Sequence, residues 1–317
     1  MSWQSAADLD MLRQRAALLQ RVRDFFAERQ VMEVETPLLC SAGVTDPAIE
    51  PLIVERGQSL RGPRYLQTSP EYAMKRLLTA GAGPIYQIAR AFRDGEAGQR
   101  HNPEFTLLEW YRPGFDQHQL MREVADLVIG CVGEKPVQYV AYRDLFIAEL
   151  GLDPLTASVS ELQSRARQAL DLGAMSGDRD MWLDLLMSHL IEPQLATRGL
   201  CFVYDYPASQ AALSRIVEQD GQLLGQRFEL YADGLELANG YFELTNPEEQ
   251  RRRFLADNLR RREHGQPERP VDEFLIAALE AGMPECSGVA LGFDRLLMLA
   301  SGCKDIRQVL AFDWVRS

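Results

Sequence analysis

Hydrophobic positions recur at two spacings along the chain, and each spacing predicts a different kind of element. In residues 11–29, Leu18, Val22 and Phe26 fall on one side of a helix and arginines fall on the other. This spacing predicts an amphipathic helix. Residues 113–200 are also predicted to be mostly helical. Further helices are predicted over residues 70–81, 155–172 and 247–264 and from Asp294 onwards.

Strict alternation of apolar and polar positions predicts strands in the remaining parts of the chain. Strands that pair through hairpins, with helices grouped apart, indicate an α+β fold whose antiparallel sheet is flanked by helices. No linker divides the sequence, so we expect a single domain over 1–317 with a mostly helical insertion-like stretch at about 113–200. The predicted strands cover residues 31–35, 64–68, 85–92, 104–111, 201–206, 227–231, 235–244 and 287–292.

Composition narrows the classes of function. Of 317 residues, 46% are hydrophobic and 25% are charged, and the formal net charge is −12. An overall negative charge argues against general binding to nucleic acid. No apolar run approaches the roughly 20 residues of a membrane span. The five cysteines are scattered without a CxxC pair, which is typical of reduced thiols in a cytoplasmic protein.

The strand 104–111 carries the first candidate chemistry. Alternation places Phe105, Glu109 and Tyr111 on one face. These side chains suit either a partly solvated sheet face or a small-molecule site with a stacking ring and a carboxylate. The loop before the strand contains Arg93 and His101, and cationic groups beside an aromatic ring suit a nucleotide triphosphate.

A hairpin at Asp233-Gly234 carries the second candidate chemistry. A two-residue turn pairs Leu230 with Leu237 and Glu229 with Ala238. Glu229 and Glu236 then lie on one face as diagonal neighbours, roughly 7–8 Å apart. They are either two solvated glutamates or a pair that holds magnesium together with substrate phosphates.

The same hairpin contains further polar residues beyond Glu236. Regular alternation puts Asn239, Tyr241 and Glu243 on the face opposite to the two glutamates. If all five share one pocket, a β-bulge is required. We predict that bulge near Asn239-Gly240.

The segment 287–295 combines two glycines with a following arginine. Glycine lets a ligand approach the backbone closely. Arg295 stands at the start of a predicted helix, where the helix dipole also favours an anion.

Three segments together resemble the signature motifs of the class II aminoacyl-tRNA synthetases. Val34-Glu-Thr-Pro37 resembles motif 1, Phe92-Arg93 through Phe105 resembles motif 2, and Gly288 through Arg295 resembles motif 3. Thr68-Ser-Pro-Glu71 and Glu236-Leu-Ala-Asn-Gly240 are similar to lysyl-tRNA synthetase. About ten residues precede the first helix, so we expect no anticodon-binding OB domain.

The shortened form, with Glu109-Trp-Tyr-Arg-Pro113, resembles a family of lysyl-tRNA synthetase paralogues that act on a protein. Members of that family activate (R)-β-lysine with ATP and Mg²⁺ and transfer it to a lysine of translation elongation factor P. The resemblance therefore implies a ligase that takes lysine or (R)-β-lysine, has elongation factor P as its acceptor, uses no tRNA and forms a homodimer through motif 1.

The family mechanism implies a role for each matching residue. Arg93 and Arg295 are the catalytic candidates, with Arg93 at the α-phosphate, His101 at the γ-phosphate, and adenine between Phe105 and Arg295. Glu229 and Glu236 are the implied magnesium ligands. The implied ATP-binding residues are Arg93, Asp94, His101, Asn102, Phe105, Glu236, Leu237, Gly292 and Arg295. The implied amino-acid-binding residues are Ser69, Pro70, Glu71, Glu109, Tyr111, Asn239, Tyr241, Glu243 and Ala290.

Three positions depart from the family pattern. Asp94-Gly95 follows Arg93 where Asn-Glu is usual, so backbone groups or Glu96 are expected to replace the adenine contact of that glutamate. Tyr241 stands where phenylalanine is usual. Ala290 replaces the glycine of lysyl-tRNA synthetases, and we expect its methyl group to shift preference from α-lysine to β-lysine.

Three other functions compete with this interpretation. A minimal synthetase would charge tRNA, and a regulatory paralogue would bind amino acids without catalysis. Ammonia-dependent asparagine synthetase shares the fold, but its aspartate substrate requires a cationic pocket rather than Glu71, Glu109 and Glu243. The arginine runs 251–253 and 260–262 are either a solvated helix face or a docking patch for an acidic acceptor.

Overall fold

The computed structural model describes residues 3–55, 57, 62–173 and 175–317. The helices are α1 Leu9–Glu28, α2 Glu71–Thr79, α3 Gln117–Val132, α4 Tyr142–Leu150, α5 Val159–Ala169, α6 Arg179–Leu186, α7 Glu192–Leu195, α8 Pro247–Glu263, α9 Glu273–Glu280 and α10 Phe293–Ser301. The strands are β1 Met32–Glu33, β2 Leu39–Cys40, β3 Ile53–Val54, β4 Arg64–Leu66, β5 Ile85–Phe92, β6 Glu104–Pro113, β7 Val137–Ala141, β8 Leu200–Pro207, β9 Ile216–Gln219, β10 Gln222–Ala232, β11 Leu235–Phe242 and β12 Cys286–Gly292.

The chain divides into two compact units. The first unit runs to Phe115 and also contains Thr245–Ser317, and the second unit is Asp116–Leu244. The first unit contains the strand order β1-β5-β6-β12 and a small separate sheet, β2-β4-β3. β1 pairs with β5 in parallel, and β5, β6 and β12 pair antiparallel.

Helix α1 covers one face of the β5–β6 sheet because its apolar side faces aromatic residues of both strands. The ring of Phe26 stacks on that of Tyr86 at a centroid distance of 4.3 Å. It also meets the ring of Trp110 edge-on at 5.4 Å. Phe26 and Trp110 have no exposed surface. We call this side the back face of the sheet.

The second unit has the strand order β11-β10-β8-β7, and β9 pairs with β10. β7 and β8 are parallel, whereas β8, β10 and β11 are antiparallel. Its core is formed by helices that surround one fully buried tryptophan, Trp182, and by a stack of Tyr142 on Phe146 at 4.5 Å. A π-helical turn, Met187–Ile191, connects α6 to α7.

The α+β fold with an antiparallel-dominated sheet flanked by helices is confirmed. The bounds of β5 match the prediction, and the capping box of Ser158 and Glu161 at the start of α5 is present. The range 113–200 contains helices α3 to α7 together with β7. The single domain over 1–317 stays a prediction. Among the helices in the described ranges, none has both the length and the apolar character needed to span a bilayer.

Two local predictions were wrong. The strand predicted over 31–35 is reduced to β1, Met32–Glu33, which is followed by one further hydrogen bond to β5, from the Val34 amide to the Tyr86 carbonyl at 2.9 Å. Pro70 occupies the N-cap of α2 rather than its first helical position. The hydroxyl of Ser69 accepts a hydrogen bond from the Glu71 backbone amide at 3.4 Å, so it still serves the start of the helix.

Candidate active site

The side of the sheet opposite to α1 carries the polar residues of β6, and we call it the front face. Phe105, Glu109 and Tyr111 alternate along β6 as the sequence predicts. The hydroxyl of Tyr111 donates a hydrogen bond to Glu109 Oε1 at 2.6 Å. Glu109 and Tyr111 are each only 2% exposed. A carboxylate this deeply buried on a sheet face is suited to a cation, because an unpaired buried charge is costly.

Strand β12 contributes only small residues to the front face. Its register places Gly288 opposite Tyr111, Ala290 opposite Glu109 and Gly292 opposite Leu107. Directly opposed residues in an antiparallel pair point to the same side. The sequence GVALG therefore adds little side-chain volume to the front face, and its one side chain there, that of Ala290, belongs to the residue paired with Glu109.

Strand β5 adds a polar residue that the sequence analysis missed. Gln87 lies opposite Glu109 and is 4% exposed. Its Oε1 accepts a hydrogen bond from the hydroxyl of Thr36 at 3.0 Å. The alternation of 85–92 places Gln87 on the same side as Ala89 and Ala91, and a buried glutamine in an apolar strand was the available signal.

The loop that joins β5 to β6 holds the predicted phosphate-binding residues. The guanidinium carbon of Arg93 lies 5.1 Å from the centre of the Phe105 ring. Arg93 Nη1 lies 3.6 Å from a carboxylate oxygen of Glu96. Glu96, which stands one position after the usual glutamate of the family pattern, therefore lies close to Arg93.

Gly95 occupies its unusual position for a conformational reason. Its φ is +78°, in the left-handed region that glycine adopts without a steric penalty. Its backbone amide donates to Asp94 Oδ1 at 2.9 Å, and the Asp94 amide donates to the Glu50 carbonyl at 2.7 Å. These two hydrogen bonds fix the conformation of Asp94 in the turn that follows Arg93.

His101 and Arg295 meet where this loop approaches the start of α10. Arg295 Nη2 lies 2.7 Å from His101 Nε2, so the imidazole accepts from the guanidinium and is neutral. Burial and, next, the charge of Arg295 lower the pKa of His101 below its usual value of 6.5. Asn102 anchors the loop, since its Oδ1 accepts from the Trp314 amide at 3.0 Å and its amide group donates to the Glu104 carbonyl.

Glu71 binds a lysine of the chain itself. Lys75 Nζ donates to Glu71 Oε1 at 2.7 Å, and Lys75 is 1% exposed. Lys75 was missed because a lysine inside an amphipathic helix ordinarily faces solvent. The carboxylate that the resemblance assigns to an amino-acid ligand is thus already compensated by one ammonium group.

In the second unit, the β10–β11 hairpin forms at Asp233-Gly234 as predicted, with φ values of +51° and +71°. Tyr231 pairs with Glu236. The predicted pairs beyond this point were wrong, because Leu230 pairs with Ala238 and Glu229 pairs with Asn239. Leu237 is therefore the extra residue.

The bulge thus occurs at Leu237, earlier than the predicted position near Asn239-Gly240. Its physical reason is burial, since Leu237 and Ala238 are 3% and 2% exposed and Ala238 pairs with the buried Leu230. The bulge has the predicted consequence for the faces of the hairpin. Glu229 and Glu236 remain on one side, and Asn239 and Tyr241 now share that side, because Asn239 opposes Glu229.

Glu229 is surrounded by donors that the sequence analysis did not identify. Tyr206 donates to its Oε2 at 2.7 Å, Tyr231 donates to the same oxygen, and Arg227 Nη2 binds Oε1. Burial, followed by the Glu229 charge, raises the pKa of both tyrosines well above the usual value. Arg227 Nε also donates to Asn239 Oδ1 at 3.3 Å.

The carboxylates of Glu229 and Glu236 fit the oxygen-ligand preference of magnesium, which binds one or two protein carboxylates together with phosphates. Arg227 supplies in the structure the positive charge that such an ion would supply. Within the described ranges, no cluster of three or more His, Cys, Asp or Glu side chains is arranged to hold a metal. Glu243, 2% exposed, lies at the end of β11 in a bridge to Ser214.

The predicted residues therefore form two sets. The first unit holds Ser69, Pro70, Glu71, Arg93, Asp94, His101, Asn102, Phe105, Glu109, Tyr111, Ala290, Gly292 and Arg295. The second unit holds Glu229, Glu236, Leu237, Asn239, Tyr241 and Glu243.

Comparison with known proteins identifies the family of the chain. The family model for tRNA synthetases class II (D, K and N) matches residues 2–315. A protein of Pseudoalteromonas translucida named elongation factor P--(R)-beta-lysine ligase is 48% identical over 99% of this chain and 98% of its own length. Proteins of the same name from Vibrio parahaemolyticus and Salmonella typhi are 49% and 46% identical, each over 98% of this chain and over 98% and 97% of their own lengths.

Proposed function

Because the chain belongs to the class II tRNA synthetases of the D, K and N type, we propose that it is an ATP-dependent ligase acting on a protein. It activates (R)-β-lysine as an aminoacyl-adenylate and transfers it to a lysine side chain of elongation factor P. The observation that carries this proposal is the front face, where the buried Glu109 and Tyr111 lie beside the small residues of β12. The names of the relatives support the same substrate and acceptor.

The first step forms a mixed anhydride. A carboxylate oxygen of the amino acid attacks the α-phosphorus of ATP, and pyrophosphate leaves with the electrons of the broken P–O bond. Arg93 donates to the α-phosphate and stabilises the charge that develops there. In the second step, the acceptor ε-amine attacks the carbonyl carbon, AMP leaves, and the amine loses a proton as the amide forms.

The nucleotide is bound by residues of the motif 2 loop and of the start of α10. Phe105 and Arg295 hold the adenine by stacking and a cation–π contact. His101 faces the γ-phosphate. Asp94, Asn102 and Gly292 contribute to the nucleotide site through the loop and the close approach of the backbone. For Glu236 and Leu237 of the second unit, the family resemblance implies a role in binding the nucleotide.

We assign recognition of the amino acid to carboxylates and their neighbours. Glu109, Tyr111 and Ala290 of the front face contact the substrate, and Ser69-Pro70-Glu71 lies at the start of α2. For Asn239, Tyr241 and Glu243 of the second unit, the family resemblance implies the same role. A lysine-type ammonium requires such carboxylates because its desolvation is otherwise uncompensated.

Glu229 and Glu236 would hold magnesium, which neutralises phosphate charge when bound. Tyr206 and Tyr231 orient the Glu229 carboxylate, and Arg227 balances its charge. We further propose that motif 1 and the exposed apolar side chains beside it, Met32, Leu38 and Leu39, form a homodimer interface.

A competition between two acceptors tests the proposed function. The protein is incubated with ATP, magnesium and (R)-β-lysine or α-lysine, with elongation factor P and lysine tRNA both present. Intact mass measures the modified factor, and acid-gel electrophoresis measures charged tRNA. We expect a mass gain of one lysyl group on the factor, formed faster with β-lysine. Charged tRNA with an unmodified factor would instead identify a minimal synthetase.

A matched variant separates activation from binding. Glu109→Gln keeps the size of the side chain and removes its charge. We expect it to lose exchange of pyrophosphate that depends on the amino acid, while it still binds ATP. Retention of normal exchange by this variant would contradict the assignment of Glu109.

A further inference from the structure

A buried ion pair lies behind the proposed nucleotide site, on the back face of the sheet. Arg15 of α1 donates from Nη1 to Asp294 Oδ1 at 2.6 Å and from Nη2 to the hydroxyl of Thr106 at 2.7 Å. The backbone amide of Thr106 donates to the other oxygen of Asp294 at 2.7 Å. The three residues thus close a ring of hydrogen bonds that joins α1, β6 and α10.

Each partner of Arg15 is the chain neighbour of a residue assigned to adenine. Thr106 follows Phe105, and strand alternation sends Phe105 to the front face and Thr106 to the back. Asp294 precedes Arg295 in the first turn of α10. The ring of hydrogen bonds therefore fixes the backbone on which both adenine-binding side chains stand.

Burial makes this link strong. Asp294 is 2% exposed and the Arg15 side chain is 14% exposed. The guanidinium of Arg15 also lies 5.0 Å from the centre of the Phe293 ring. Arg13 on the same helix pairs with Asp10, but those side chains are 75% and 79% exposed. Exposed pairs of this kind are weak, whereas losing one partner of a buried pair leaves an uncompensated charge.

We propose that Arg15 is a positioning residue for ATP, acting through Asp294 and Thr106 to hold Arg295 and Phe105 at the separation that adenine requires. This inference rests on the proposed function, since it takes Phe105 and Arg295 as the adenine site. It adds a residue of the amino-terminal helix to nucleotide recognition. Arg15 itself touches neither the nucleotide nor the amino acid.

The test compares Arg15→Met with the control Arg13→Met. ATP–pyrophosphate exchange gives the KM for ATP and the KM for the amino acid separately. For Arg15→Met we expect the KM for ATP to rise roughly tenfold, the range covered by loss of a cation–π stack. The KM for the amino acid stays within about twofold, because the front-face residue Glu109 does not depend on this link. The control variant should match the wild type in both constants.

A milder pair of variants keeps the test decisive if Arg15→Met does not fold. Thr106→Val removes one hydroxyl and preserves both the ion pair and the backbone amide, and it should raise the KM for ATP about two- to tenfold, as expected for one hydrogen bond. Arg15→Lys keeps the charge, but a lysine cannot bind both partners at once as the arginine fork does. Compared with Arg15→Met, we expect Arg15→Lys to recover the melting temperature of the wild type more fully than it recovers the wild-type KM for ATP.

The result that overturns the inference is a lowered melting temperature with both KM values unchanged, or with both raised equally. Those outcomes would make the ion pair purely structural while leaving the proposed function intact. A wild-type protein that shows no exchange with ATP and any lysine would overturn the proposed function itself, and with it this inference.

Discussion

At the scale of single residues, we expect the methyl group of Ala290 to influence the preference between α-lysine and β-lysine. Ala290 lies directly opposite Glu109, between Gly288 and Gly292 on the same face of β12. These two neighbours carry no side chain, so the methyl group of Ala290 is the only side chain among the three residues. We therefore expect the size of this one side chain to set how closely the substrate backbone approaches β12.

We expect Ala290→Gly to improve activation of α-lysine relative to β-lysine by roughly tenfold, the discrimination that one methylene group provides. ATP–pyrophosphate exchange with each amino acid measures the ratio. Val289→Ala is the control, because Val289 opposes Trp110 on the back face of the same strand. If Ala290→Gly kept the wild-type preference between the two amino acids, the methyl group of Ala290 would not determine specificity.

His101 provides a second prediction at this scale, in its dependence on pH. Its pKa in the free protein is lowered below the usual value of 6.5, so the neutral ring predominates at neutral pH. A triphosphate beside the ring favours the charged form and raises the pKa again. We expect ATP binding to take up a proton at about pH 6, and this uptake should vanish at about pH 8.

Calorimetry in buffers of different ionisation enthalpy measures the uptake. His101→Gln should abolish it, whereas His118→Gln should not, since His118 packs against Tyr204 in the second unit. Equal uptake in wild type and His101→Gln would show that the γ-phosphate contact is wrongly assigned.

At the scale of elements, the β10–β11 hairpin shows what a single inserted residue does. Leu237 occupies a bulge, and every side chain after it on β11 changes face. Regular alternation places Asn239 and Tyr241 on the face opposite to Glu229 and Glu236, and the bulge that brings them together was predicted near Asn239-Gly240. Counting positions cannot locate an extra residue, because its place is set by the burial of Leu237 and Ala238 against Leu230.

Deletion of Leu237 should return the hairpin to regular pairing and turn Asn239 and Tyr241 away from Glu236. We expect amino-acid-dependent exchange to fall by about a hundredfold, the cost of misplacing groups that orient a substrate. Leu224→Ala is the control, because Leu224 is a buried residue of β10 that lies outside the bulge and outside every assigned site. It should lose about 2–5 kcal/mol of unfolding free energy and retain exchange. A deletion variant with normal exchange would contradict the assigned face.

Element boundaries were predictable where local signals decide them. The β5 bounds follow from alternation, and the cap of α5 follows from Ser158 and Glu161. Partners distant in sequence were not predictable. Arg15 and Asp294 are 279 positions apart. In the sequence, Arg227 cannot be distinguished from a solvated arginine on a strand, because its contact with the ring of Tyr206 is visible only in the structure.

At the scale of the whole molecule, the arginines of α8 are balanced within the protein. Arg251 pairs with Glu273, Arg252 and Arg253 pair with Glu249, and Arg260 and Arg262 pair with Asp257 and Glu268. Arg261 has no exposed surface and binds Glu50. These contacts favour a compensated helix face over a docking patch for the acceptor.

We therefore expect Arg252→Gln combined with Arg262→Gln to change the rate of acceptor modification by less than about twofold, as is usual for exposed pairs. Arg261→Gln should instead destabilise the protein by about 1–3 kcal/mol, the cost of losing hydrogen bonds to a charged group, because Glu50 is 34% exposed and keeps its pair with Arg269. Modification assays and thermal melts measure the two effects. If the double variant modified the acceptor more slowly but formed the adenylate normally, these arginines would have to be assigned to a docking patch.

The burial of Lys75 affects which lysines of the protein an acyl-adenylate can react with. Such an anhydride reacts with any free amine, and the chain contains only three lysines, Lys75, Lys135 and Lys304. Lys75 is buried against Glu71, and Lys135 is ion-paired with Asp233 at 3.3 Å. Lys304 is the exposed member of the three. Self-labelling of the enzyme's lysine side chains should therefore concentrate at Lys304, where it would report any adenylate that escapes before reaching its acceptor.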